Sequence, residues 1–252
     1  MNDSIVKDII SDLGQKEKKK KVIKEDEKKI FNLESEIDSN IRSLFHIKST
    51  VEDNRNMIIS NYISAFNANT NLAKENTRNV FKNKASLLSR IIVNDENEEL
   101  YIDLQKDRMK LEYFSHLIEV NKKNLEILTK IAEANTQLIQ INKQIMELNK
   151  YIVEFNKKNI ESNKEMMKSD FECPEVSQET LNNQEKDNIM VATELEKKSK
   201  GNQEKIKDLS KKSDENNTSI LKNRNLILQR RDSIVSNSDS IEVNKSKIFY
   251  NI

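Results

Sequence analysis

The chain has 252 residues, 34% charged and 35% hydrophobic, with two Gly, one Pro, one Cys and no Trp. So few turn formers, 5% aromatics and a mean hydropathy of −0.78 argue against a thick globular core; they leave long amphipathic helices, a coiled coil or a disordered chain. Lys and Arg total 43 against 42 Asp and Glu, a net charge of +1, which offers no general attraction for nucleic acid or an acidic membrane.

The single Cys173 excludes an intramolecular disulfide and a thiolate zinc site. No apolar stretch approaches the ~20 residues that span a bilayer. The opening residues MNDSIVKDIISDLG lack a basic n-region and a small-residue cleavage site. The expectation is an unprocessed protein made in a cytoplasm, whose final place is a larger assembly if it is built into one.

Residues 1–14 form a short amphipathic piece with Ile5, Ile9, Ile10 and Leu13 on one side, closed by Gly14. Such a helix suits a docking segment for a groove on a partner, or an N-terminal turn that caps a bundle. The basic run Lys18 to Lys21 follows and reads as a solvated patch.

Residues 15–93 are the first long helical segment. An apolar residue recurs every seven positions: Ile23, Ile30, Ile37, Leu44, Val51, Ile58, Ala65, Leu72. A strict seven-residue repeat sustained this long implies a left-handed coiled coil. With this column called a, position d carries Asn40, Asn54 and Asn61. The pattern then slips by one residue and resumes as Phe66/Asn69, Ala73/Asn76 and Val80/Asn83. A slip of this kind changes the local winding without breaking the helix. Asn94 to Asn97 shifts the phase again and suits a tight turn, although no Gly or Pro enforces one.

The second segment, 98–168, has the longest column: Leu104, Leu111, Ile118, Leu125, Ala132, Ile139, Met146, Val153, Ile160, Met167. Its d positions include five consecutive asparagines, Asn135, Asn142, Asn149, Asn156 and Asn163. The g positions (Ile131, Leu138, Ile145, Ile152) and c positions (Ile127, Ala134, Ile141, Leu148, Phe155) are also apolar. That face is wider than a two-position seam, so the expectation is that more than two helices pack together, or that a second layer or a host surface covers it.

A linker, 169–185, is expected around Cys173-Pro174, because the residue before proline disfavours helix. The third segment, 186–252, has Ile206, Ile220, Ile227, Ile234, Ile241 and Ile248 in its a column, with Ser213 as the one gap. Asn223, Asn237, Asn244 and Asn251 lie three residues after an isoleucine, with Arg230 interrupting. The tip carries Phe249, Tyr250 and Ile252, which would seal a coil or touch a partner.

The three segments are nearly equal, each roughly 100 Å long at 1.5 Å per residue. Three arrangements follow: an antiparallel three-helix bundle, a parallel homotrimer approaching ~350 Å, or hairpins joined in threes through the third segment. The repeated Ile-x-x-Asn unit favours self-pairing, since identical layers satisfy Asn with Asn.

An Asn ladder at d with Ile or Val at a resembles the cores of homotrimeric fibrous coiled coils of bacteriophage, including whisker (fibritin-type) proteins, and trimeric adhesin stalks. The resemblance implies an all-α parallel homotrimer acting as a fibre or connector in a virion, with other virion structural proteins as partners. It also implies that the Asn layers can hold a chloride ion. The alternative is a cellular tether or scaffold of SNARE-like or spectrin-like bundle type, which would stay cytoplasmic.

Enzyme chemistry has no visible basis. His46 and His116 lie apart without metal-ligand spacing and read as polar-face histidines. Two glycines cannot build a phosphate-cradling loop or a nucleophile elbow. The acidic groups lack the glycine and alternating oxygen ligands of a calcium loop. No metal, cofactor or catalytic residue is expected.

Overall fold

A computed structural model describes the backbone of residues 3–168 and 177–250; side chains are described for Gly14, 27–168 and 177–250, Gln178 apart. The fold is all-α. Helix α1 spans Asp3–Tyr62 and runs into a π-helical segment, Ile63–Asn69. Helix α2 (Thr70–Leu88) continues from it, followed by α3 (Glu96–Lys168) and α4 (Gln178–Tyr250).

Several element boundaries differ from the sequence expectation: α2 ends at Leu88 rather than 93, α3 begins at Glu96 rather than 98, and two further shifts have a local cause. The helix does not stop at Gly14, since α1 passes through it. A mid-helix glycine costs only about 1 kcal/mol, too little to end a helix this long. Helix α4 starts at Gln178 rather than at 186. Ser177 caps it: its Oγ accepts the Thr180 N–H at 3.2 Å, and its carbonyl accepts the Leu181 N–H at 3.2 Å. Proline restricts only its own neighbourhood, and nothing after Ser177 opposes helix. The Cys173-Pro174 linker itself lies outside the described residues.

The expected one-residue slip takes a definite form at Ile63–Asn69. The Thr70 N–H bonds to the Ala65 carbonyl, five residues back, and the Thr70 hydroxyl donates to the same oxygen at 3.2 Å. A π turn holds one residue more than the α turn it replaces. The extra residue in the heptad count is absorbed there, and the helix continues.

The chain divides into two units, Met1–Leu72 with Val176–Ile234, and Ala73–Glu175 with Val235–Ile252. In the first unit α1 and α4 run side by side in the same direction. Asn40 pairs with Ser199, Asn54 with Ser213, Asn61 with Ile220 and Asn69 with Ile227. Both partners ascend together, so the pairing is parallel. The separation is 159 residues through Asn61 and 158 at Asn69. The step of one falls on the π segment.

In the second unit the chain reverses between α2 and α3. The Asp95 carboxylate accepts the Glu98 N–H at 2.9 Å, and Glu98 reaches back to the Asn94 N–H at 2.8 Å. This is a reciprocal cap of the helix start, so the turn forms without Gly or Pro. Lys84 then meets Glu112 at 2.7 Å, Phe81 meets Tyr113 at 4.9 Å between ring centroids, and Thr77 lies 3.4 Å from His116. Those pairings converge on the turn, so α2 and α3 are antiparallel. The reversal excludes a rod in which the first two segments run straight on. In the same unit Asn83 donates to the Ile241 carbonyl at 3.1 Å, and Arg90 lies 5.0 Å over the Phe249 ring.

Candidate functional site

The candidate functional features among the described residues are the helix-association surfaces. The contact between α1 and α4 is built from one edge of each helix. On α1 the covered positions are d and g: Leu33, Asn40, Ile47 and Asn54, with Ser43 and Thr50 beside them. On α4 they are a and e: Ser199, Ile206, Ser213 and Ile220, with Ser210 and Asn217 beside them.

The asparagines carry the register. Asn40 Nδ2 donates to the Ser199 carbonyl at 3.1 Å and lies 3.1 Å from its hydroxyl. Asn54 Nδ2 donates to the Ser213 carbonyl at 2.9 Å and lies 3.4 Å from its Oγ. Asn61 and Asn69 donate to the Ile220 and Ile227 carbonyls, each at 3.0 Å. A net hydrogen bond contributes about 1 kcal/mol, while a buried amide left unpaired costs about 1–3 kcal/mol. The ladder therefore works chiefly by penalising any other register. Ser213, the gap in the apolar column, adds its hydroxyl to the Asn54 contact, whereas Asn61 and Asn69 reach the carbonyls of isoleucines.

Two amide oxygens in this contact, Asn54 Oδ1 and Asn217 Oδ1, are buried without a protein partner. The amide donors of the α1 and α2 ladder point at backbone carbonyls, which is not the axial, anion-facing arrangement that the fibre resemblance implies.

The contact leaves one edge of each helix open. Around a helical wheel, d adjoins g and a adjoins e. The a column of α1 (Ile30, Ile37, Leu44, Val51, Ile58) remains 41–52% exposed. On α4 the d positions Leu195, Asn202, Leu209, Asn216 and Asn223 are exposed. In a two-stranded parallel coil both columns of both helices would face the partner. Here an apolar groove runs between the helices, with one stretch of about 580 Å³ beside Ile37 and Leu209 and another of about 500 Å³ beside Ile58 and Leu226.

The expected self-pairing residues Ile220, Ile227, Ile234, Ile241 and Ile248 are buried or half-buried, and Ile220, Ile227 and Ile241 accept the Asn61, Asn69 and Asn83 amides of the same chain. That column faces the first helical segment rather than a copy of itself, because the parallel register places it there. Asn223, Asn237 and Asn244 are exposed.

Helix α3 behaves differently. Its covered stripe through Ile131 follows positions c, f and g, including Ile102, Met109, Tyr113, Leu117 and Val120. Its a column points elsewhere. Leu104, Leu111, Ile118, Leu125, Ile139, Met146, Val153, Ile160 and Met167 are between 52% and 71% exposed. Asn135, Asn142, Asn149, Asn156 and Asn163 are exposed as well, and every residue from 132 to 168 is exposed. The side chains of Ile5, Ile9, Ile10 and Leu13 lie outside the described residues.

Among the described residues, no group of three or more His, Cys, Asp or Glu is placed to hold a metal ion. Among them, no helix is long and apolar enough to cross a membrane. Neither a family model, a curated protein nor a solved structure matches the chain.

Proposed function

We propose that this chain is a non-enzymatic structural protein, a homotrimeric coiled-coil fibre or connector of a virus or phage particle, docked by one end on a larger assembly. The observation that carries the reading is the exposed a column of α3. Nine large apolar side chains at seven-residue spacing stand open to water along one face. Fully burying one such side chain yields about 1.5–3 kcal/mol, so half-exposed ones yield about 1 kcal/mol each. The natural cover is the same face of another copy, because only an identical ladder answers Asn142, Asn149 and Asn156 with Asn at matching heights. Polar core layers restrict register and oligomer number, and the reading takes that number as three. In such a trimer the α3 asparagines are the layers that can hold chloride, and residues 1–13 are the docking device toward other virion structural proteins.

A second reading is a tether or scaffold, a single-chain up–down–up bundle. The parallel α1–α4 pair and the α2–α3 reversal favour it. Sedimentation velocity with light scattering separates the two. A trimer mass with a high frictional ratio is expected. A monomer of 29.4 kDa at micromolar concentration overturns the fibre and gives the scaffold the lead.

A further inference from the structure

We infer that the c/g stripe of α3 between Leu138 and Phe155 docks into the open α1–α4 groove of a second copy. The inference rests on the self-association proposed above and names the contact that holds neighbouring copies together beside the shared α3 column.

Continuity is the first argument. Through Ile131 the c, f and g positions of α3 form its packed face. The same face continues as Leu138, Ile141, Ile145, Leu148, Ile152 and Phe155. These are more apolar than the packed part, yet 45–57% exposed. A face that is cored over its first half and greasier over its second is built to be covered there too.

Length and chemistry select the groove. The stripe from Leu138 to Phe155 covers about 27 Å at 1.5 Å per residue and fits within the groove from Ile30 to Ala65, about 54 Å long. Along its middle the groove is flanked by Lys48 and Arg55 on α1 and by Lys205 and Lys212 on α4, all exposed. Arg55 is also 3.6 Å from Glu52 of its own helix.

Three faces of a second copy could enter. Another α1–α4 pair brings the same four cations and sets like charge against like. The a/d face of α3 is bordered by Lys143, Lys150 and Lys157 and meets the same kind of repulsion, lessened where Lys150 and Lys157 lie 3.7 and 4.0 Å from Glu154 and Glu161 of their own helix. Beside the c/g stripe stand Gln137, Gln144 and Tyr151, which carry no charge. That stripe alone offers an apolar ridge without a cationic border. The a column is left free for the trimer axis, and passing the contact from each copy to the next closes a ring.

The test uses two differently tagged full-length forms, co-expressed, each with Cys173→Ser. One carries Ile145→Cys, and the other carries Ile37→Cys, Leu44→Cys or Ile58→Cys in turn. A disulfide between the two tags at one groove level, absent for a Glu147→Cys control, is the expected result. A trimer mass with no link at any level overturns the docking and leaves the trimer standing. A monomer mass overturns both. In a third form that carries both cysteines, a link within one chain with none between the tags also overturns it, because the chain then covers its own groove. As a second readout, Ile145→Asn with Ile152→Asn should speed amide exchange over residues 37–58 by roughly tenfold at unchanged trimer mass. Unchanged exchange sinks the docking.

Discussion

Helices α1 and α3 carry the same seven-residue grammar and meet opposite fates. On α1, Asn40, Asn54 and Asn61 are covered, and each amide is tied to a carbonyl of α4. On α3, Asn135 to Asn163 stand exposed beside an equally exposed apolar column. The lesson is that an Ile-x-x-Asn repeat specifies an edge able to associate and leaves open which helix it meets. For α1 the partner lies in the same chain, whereas the a and d positions of α3 from Ala132 to Met167 stay exposed.

The largest effect should come from charging the uncovered column. Ile139→Asp with Met146→Asp is expected to convert a trimer to a monomer in sedimentation, leaving the helical circular dichroism of the α1–α4 pair in place. An unchanged mass would mean that the column is solvent-facing in the assembly as well. The complementary change, Asn142→Ile with Asn149→Ile, should raise the thermal midpoint while broadening the distribution of oligomer numbers, since a polar core layer trades stability for control of strand number. A lower midpoint with an unchanged distribution would count against the ladder's role on α3.

A smaller and more local effect separates the two ladders. Asn54→Ala removes a covered hydrogen bond and leaves a void, so a loss of about 2 kcal/mol is expected by urea titration. Asn149→Ala should change stability by less than about 0.5 kcal/mol where α3 is uncovered, as for surface sites in general. Where copies bury it, its cost should grow toward the Asn54 value as protein concentration rises. Equal effects at every concentration would erase the distinction between the helices.

Much of this was legible in the residues. Three long helices follow from the apolar columns, and the slip after Asn61 follows from counting. Its form as a π turn does not, because a one-residue excess can be absorbed by winding spread over several turns as readily as by one wide turn. The reversal before Glu96 was hard to read for a different reason. Gly and Pro announce turns, but Asp95 and Glu98 make theirs by reciprocal capping, and acidic residues are common everywhere in this chain. The partner of the third segment was hidden most deeply. Its isoleucine column fits copies of itself as well as it fits α1. Only the Ser199 and Ser213 positions, small where Asn40 and Asn54 arrive, mark the intramolecular choice, and on a one-dimensional reading Ser213 looks like a defect.

The π segment offers a test of how strictly the α1–α4 register is held. Deleting Asn67 removes the extra residue, restores an unbroken heptad and should replace the π turn by an α turn. A gain of about 1 kcal/mol is expected, the order of one recovered helical hydrogen bond, with Asn69 still meeting the Ile227 carbonyl. If deletion destabilises the chain instead, the wide turn is required by what packs around it, including the stacked Tyr62 and Phe66 rings at 5.5 Å.

The smallest effect concerns the α2–α3 hairpin, whose one ion pair between helices, among the described residues, joins Lys84 and Glu112 at 2.7 Å. The hydrogen bond from Lys84, and then its charge, hold the Glu112 carboxyl below the ordinary glutamate range; Arg108, 3.7 Å away on the same helix, adds a lesser pull. An acid whose pKa is lowered by folding stabilises the fold above its ordinary pKa. That contribution fades as pH falls through the lowered folded value. Both side chains are nearly half exposed, so solvent and salt keep the contribution small. Lys84→Gln should therefore lower the urea midpoint slightly at neutral pH. The difference from the unmodified chain should shrink on acidification and in high salt, while Arg108 keeps part of the pull on Glu112 in both chains. A difference that persists at a pH where Glu112 is protonated would show that Lys84 acts through packing of its stem rather than through its charge.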